Sequence, residues 1–409
     1  MIAKKEFRLN DINQSNLFLR FLWAKIRSEF GKLSWQYTPR KVGSKNQIRL
    51  GFARIGNLRF TYEVSVLYKK AGVVSSIIFV PIERGSSATA GDIVPIQRML
   101  DSIDERNVVP KLIGVATEVE LEPSISIGHY FGDFWQIAPL SDGRGELKLK
   151  VFAFDSVDAN YEFAKRCNAV TDILSGATNC AVRIIMEPGR GKVIEPNYEW
   201  NDYFIDPEWL DDFPVRDGVL KLSQELIRFG DRIVSGENED DRIARSAHLF
   251  HRSLTLYREK PLFGDISTAL FISALEAISL PDAPPGACPS CGQPIHKISS
   301  RVVELGIRHL GEGVGRILKE SYQKRSKYLH VGQLNASQPL VSKAIPQLEP
   351  SGIEGCAMPM TVGAPLNLME FASFIIRSEI RDKEKSFGLD SGTLGVTETA
   401  SGVARPPAP

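Results

Sequence analysis

The sequence predicts an α+β protein: a β-rich N-terminal region, as a sheet or sandwich, followed by a C-terminal all-α helical bundle. Two observations carry this. Between about residues 45 and 155 the chain runs in short segments rich in β-branched and aromatic residues, broken by Gly, Asp, Ser and Lys. From about residue 218 onward, apolar residues recur at helical spacing and short breakers separate the segments.

Taken in order, "SNLFLRFLWAKIRSEFGKL" has the spacing of a helix. "QIRLGFARI", "LRFTYEVSVLYKK", "VVSSIIFVPI", "KLIGVATEVEL", "YFGDFWQIAPL" and "ELKLKVFAF" read as strands of an N-terminal domain over residues 1–155. A connecting segment, 156–205, opens with the helical "DANYEFAKRCNAVTDILSGATN", where Asp158 or Asn160 can cap, and returns to strand in "CAVRIIME". Six helical segments then fill a domain over 206–386: "GVLKLSQELIRFGDRIV", "NEDDRIARSAHLFHRSLTLYRE", "DISTALFISALEAISL", "KISSRVVELGIRHL", "GRILKESYQKRSKYLH" and "PLNLMEFASFIIRSEIRDKEK". Residues 387–409, rich in Gly, Ser, Thr and Pro, are expected to be disordered.

Composition narrows the function classes. The chain carries 50 basic and 49 acidic residues, a net charge of +1, so no whole-protein field announces nucleic acid; an RNA site would be a local patch. No secretory signal and no run long enough to span a bilayer is seen, so no membrane partner is expected. Five cysteines, an odd number, do not make a disulfide framework, which points to a reduced, cytoplasmic setting.

The segment "YQKRSKYLHVG", Tyr322 to Gly332, places an arginine, a hydroxyl residue and a histidine close together. On a helix Ser326 and His330 share a face, whereas Arg325 and His330 stand about 140° apart. They meet on one ligand only if the helix ends or distorts near the histidine, or if two chains contribute. The ordinary alternative is a helix terminus whose histidine complements the helix dipole.

The segment resembles the R-x4–6-H motif of HEPN domains, and most closely the Apea-like branch, through Tyr322, Arg325, Ser326, His330 and Gly332 in order. "HLFHRSLTLYRE", "ALFISALEAI" with Glu276, and "MEFASFIIRSEIRDK" look like neighbouring helices of that domain, and "NAVTDILSGATNCAVRI" is similar to the segment that often precedes it. The resemblance covers roughly residues 160–385. It implies a HEPN bundle and a metal-independent endoribonuclease cleaving RNA, tRNA among the candidates, in bacterial anti-phage defence or toxin-like growth arrest. Histidine suits proton transfer near neutrality, and arginine a charge-rich phosphate. His330 is therefore read as acid/base, Arg325 as phosphate clamp and Ser326 as a positioning group. Glu276 and Tyr322 support them, Glu276 as a pairing partner for Arg325. Active members often carry Asn, Asp or His where Ser326 stands. One motif supplies one histidine, so a homodimer or higher homo-oligomer is expected to complete the site. Lys324, Lys327, Arg316 and Lys319 are the expected RNA-binding patch. The competing reading is a HEPN module that binds RNA or nucleotide, or mediates assembly, without cutting.

"CPSCGQPIH" offers Cys288 and Cys291 at zinc-knuckle spacing; the remaining ligands of a structural zinc would come from His296, His309 or Cys356, and the cleavage itself needs no cofactor. "EPGRGK" lacks the frame of a nucleotide loop and reads as a basic turn, and "GEGVG" as an interhelical turn. His248 and His251, three apart on one helix with Arg245 and Arg252 nearby and without carboxylate or cysteine partners, read as a partly buried helix face, and Cys167 and Cys180 as core.

Overall fold

The first ordered elements form because local chemistry and apolar period agree. A short strand β1 (Ala3–Glu6) leads to helix α1 (Ile12–Phe30), whose N-cap Asp11 accepts from the Gln14 amide and whose end is closed by Gly31 at φ +82°. Phe18, Leu22 and Ile26, four apart, are buried along one face. In this computed structural model the described residues are 2–42, 46–70, 72–82, 87–121, 125–141, 143–185, 191–194, 215–216, 218–237, 242–260, 264–280, 298–331, 347–348, 357–358 and 364–391.

Strands β2 (Leu33–Lys41), β3 (Gln47–Ile55), β4 (Thr61–Lys70) and β5 (Val73–Pro81) join β1 in an antiparallel sheet of order β1-β5-β4-β3-β2. Alternation sets its faces: Tyr62, Val64, Val66, Ile77 and Phe79 are buried in one cluster with α1 and with helix α2 (Ala90–Asp101). A Thr89–Asp92 capping box starts α2, and the Tyr62 hydroxyl donates to the Asp92 carbonyl at 2.8 Å.

A second sheet, order β11-β6-β10-β9-β8, is built from β6 (Lys111–Glu120), β8 (Tyr130–Phe131), β9 (Trp135–Ser141), β10 (Arg144–Ala153) and β11 (Arg183–Ile184). β7 (Ser126–Ile127) pairs elsewhere, and helix α3 (Ser156–Thr178) follows β10. β12 (Lys192–Ile194) adds to β6; β13 (Val215–Arg216) and β14 (Val219–Leu220) extend from β7.

Helices α4 (Gln224–Ser235), α5 (Arg242–Glu259), α6 (Gly264–Ile278), α7 (Ile298–Leu310), α8 (Glu312–Val331) and α9 (Ala364–Ser391) complete the chain, so the layout is α+β as expected. The expected disordered stretch from 387 is corrected at its start. α9 continues to Ser391, and the Arg232 guanidinium lies 3.9 Å from the centre of the Phe387 ring. The rest of that tail lies outside the described residues.

The chain divides into two compact units. One comprises Met1–Val115, Lys150–Ala164 and Gly189–Asn197; the other comprises Ala116–Leu149, Lys165–Pro188 and Tyr198–Pro409. In the first, Arg20 and Arg27 reach Asp158 and Asp155 at 2.9 and 2.7 Å. In the second, Asp231 of α4 accepts the amides of Asp133 and Phe134 at 2.9 and 2.7 Å, and Trp135 donates to the Ile227 carbonyl over Gly230. α6 is the hub of the helices: it packs on α5, α8 and α9, and Phe271, Ile272 and Leu275 are fully buried.

Candidate functional site

The motif sits on α8, which begins after Gly311 (φ +87°) and runs without a break through Val331. Its start is held by close helix crossing: a Cβ on Gly315 would fall 2.5 Å from Ile307, and one on Gly306 would fall 2.4 Å from Leu318. The "GEGVG" segment thus serves as turn and packing surface. Gly315, Leu318 and Ser321 are buried, which turns Tyr322 and Arg325 toward α6.

There Arg325 meets Glu276. Its Nη2 donates to Glu276 Oε2 at 3.0 Å and to Ser273 Oγ at 3.4 Å, with side-chain exposures of 18% for Arg325 and 17% for Glu276. Burial pushes the Glu276 carboxyl above its usual range, against the opposing pull of Arg325 and the Tyr322 hydroxyl. Tyr322 is raised by burial and by the same carboxylate. Both Arg325 bonds leave from Nη2, so Nη1 is uncommitted among the described residues, while Glu276 Oε1 and Arg325 Nε are buried without a partner of full hydrogen-bond geometry.

The structure therefore gathers Arg325, Glu276, Ser273 and Tyr322 and leaves His330 outside that group. His330 is exposed in the last turn of α8, and among the described residues it makes no side-chain hydrogen bond or ion pair with the cluster. Ser326 is half-buried between them. Arg316, Lys319, Lys324 and Lys327 are all exposed, and Leu329 and Val331, flanking His330, are 50% and 77% exposed. The helix is continuous from Arg325 to His330 and ends one residue later, at Val331, so the histidine stands at the helix terminus while Arg325 is held on the side facing α6.

Two charge clusters went unread in the sequence. His248 and His251, expected to have no carboxylate nearby, have one: Asp172 of α3 accepts from His248 Nδ1 at 2.8 Å and from His251 Nδ1 at 2.7 Å. The correction is a matter of topology, because α3 and α5 lie together where a Cβ on Gly176 would be 3.1 Å from Ala247. Burial raises the Asp172 carboxyl, but the two imidazole bonds more than reverse this and leave it below its usual range. The second cluster joins Arg308 and His309 of α7 to Glu379 of α9, with His309 Nε2 at 2.8 Å. His309 is thereby committed to a carboxylate. Cys167 and Cys180 are core, the Cys167 thiol pushed up to about 12 by burial and by Asp172.

The zinc-knuckle residues Cys288, Cys291, His296 and Cys356 lie outside the described residues, as does Gly332. Among the described residues no group of three or more His, Cys, Asp or Glu is placed to hold a metal, and no helix is long and apolar enough to cross a membrane. Comparison with protein-family models, with curated proteins and with solved structures finds no match to this chain.

Proposed function

We propose that this protein is a metal-independent endoribonuclease of the HEPN type, cleaving RNA at a composite site formed by two copies of α8 in a homodimer. The observation that carries the reading is the split motif: a guanidinium held by Glu276 on the inner side of α8 and an exposed imidazole at its end. One chain offers one motif imidazole, whereas transesterification needs a base for the 2′-hydroxyl and an acid for the departing 5′-oxygen. A two-fold axis near the end of α8 supplies both. Exposed Leu329 and Val331 give such a partner apolar surface to cover.

In this scheme one His330 removes the 2′-proton as that oxygen attacks phosphorus. The other His330 protonates the 5′-oxygen as its bond to phosphorus breaks, leaving a 2′,3′-cyclic phosphate. Arg325, anchored through Nη2, keeps Nη1 for a phosphate oxygen and stabilises the charge that grows on it. Arg316, Lys319, Lys324 and Lys327 line the exposed side of the same helix and hold flanking phosphates. No cofactor enters these steps; a zinc knuckle at Cys288 and Cys291 would be structural. The setting is the reducing cytoplasm, and the biological role is defence against phage or arrest of growth.

Purified protein incubated with total RNA in EDTA tests this. Cleavage is expected to persist with chelator, to leave cyclic-phosphate ends, and to vanish in His330→Ala and Arg325→Ala variants that fold and dimerise normally. Intact RNA with binding retained favours the non-catalytic HEPN module and overturns the nuclease.

A further inference from the structure

Asp172 is buried, yet each of its oxygens serves a different histidine. An ionised carboxylate only accepts, so both Nδ1 atoms carry hydrogen, and each Nε2 points away from Asp172 as the free position of its ring. The two rings then differ in their surroundings. The His251 side chain is 11% exposed, whereas that of His248 is 50% exposed and is held from behind in one orientation with its Nε2 toward solvent.

Arg245 precedes His248 by three positions and Arg252 follows it by four, a spacing that places all three on one face of α5 over roughly 10 Å. Both arginines are exposed, and among the described residues neither has a side-chain hydrogen bond or ion pair. This sets them apart from other arginines of the same unit: Arg183, Arg232, Arg308 and Arg325 are each committed to a glutamate.

We propose that Arg245, His248 and Arg252 form a phosphate-binding stripe on α5 that tracks a single-stranded RNA backbone, separate from the basic side of α8. A row of this length suits consecutive phosphates of a polymer better than one isolated phosphate, and the choice of RNA rests on the proposed function. Asp172 sets the tautomer and direction of His248, and the ring donates to a phosphate oxygen once Nε2 is protonated. The groups bearing on that proton are Asp172 from α3, which raises the imidazole's affinity for it, and Arg252 on α5, which opposes it together with burial. Binding therefore tightens as pH falls from about 8 to about 6.

The test is fluorescence anisotropy of a labelled mixed-sequence RNA oligonucleotide with full-length His330→Ala protein in EDTA, across a salt series and two pH values. Replacing both arginines by alanine is expected to weaken binding at least about tenfold and to reduce the slope of log affinity against log salt by about 1.4, about 0.7 for each lost phosphate contact. The double lysine replacement is expected to keep the slope, and His248→Gln to remove part of the tightening at low pH. RNA still bound with unchanged affinity and slope by the double alanine variant overturns the stripe and leaves the nuclease reading standing. RNA held through the stripe but left uncut by the native protein does the reverse. No RNA binding at all by the parent protein overturns the stripe.

Discussion

Replacing Asp172 by asparagine tests the α3–α5 connection through pH as well as temperature. The carboxylate receives bonds of 2.8 and 2.7 Å from His248 and His251. A hydrogen bond to a charged group contributes about 1.5–3 kcal/mol; with two sharing one acceptor and His248 half in solvent, the loss is about 3 kcal/mol near pH 6. For the 270-residue unit that holds Asp172 this corresponds to a fall in Tm of about 5 °C. Asp172 has a depressed folded pKa, so its share is present above the unfolded value near 3.9 and is lost as pH falls through the lower folded one. His248 has a raised folded pKa, so its share is complete below about 6.5 and is lost as pH rises through the higher folded one. The gap between native and variant melting temperatures is thus widest from about pH 4 to about pH 6.5 and narrows on the alkaline side. Thermal melts followed by circular dichroism at several pH values measure it. A gap that is constant with pH, or that grows toward alkaline conditions, refutes the reasoning.

Glu276→Gln keeps the side-chain shape but removes the charge that holds Arg325; stability is expected to fall by about 1–2 kcal/mol and the cleavage rate by about ten- to a hundredfold, measured by urea titration and by single-turnover assays. Gly56→Ala attacks the first unit: the residue has φ +43°, and a Cβ there would lie within 1.5 Å of the Phe30 carbonyl oxygen. A loss above about 3 kcal/mol is expected in the urea midpoint, because the obstacle is backbone and cannot rotate away.

Much of the architecture was legible. Where a short run of aliphatic and aromatic residues stands between breakers, as in Gln47–Ile55 and Val73–Pro81, or where an apolar face repeats cleanly, as in Arg242–Glu259, the elements fall within a few residues of the expected spans. β1 and β2 were hidden for a physical reason: both are edge strands, with lysines in one and Pro39 in the other, the features that blunt an edge and blur the strand signal. α2 was missed because Pro95 interrupts its pattern, although its capping box and buried Ile93, Ile96 and Leu100 sustain the helix. At the site, the Arg325–Glu276 pairing was anticipated from the motif and its helical neighbours, and the structure places the two 3.0 Å apart. Asp172 could not be paired with His248 from spacing alone, since 76 positions separate them and only the packing of α3 on α5 brings them together.

The interleaving of the two units along the chain governs how the protein can be taken apart. The backbone passes from one unit to the other after Val115, Leu149, Ala164, Pro188 and Asn197. A fragment started at residue 206 would carry the α8 motif but would lack Trp135, which covers Gly230, and Asp172, which holds both imidazoles of α5. Such a truncation would strip the helices of their own lining, and its silence in an assay would say nothing about the histidine at the end of α8. Point substitution in the intact polypeptide is the means of dissection that this connectivity permits.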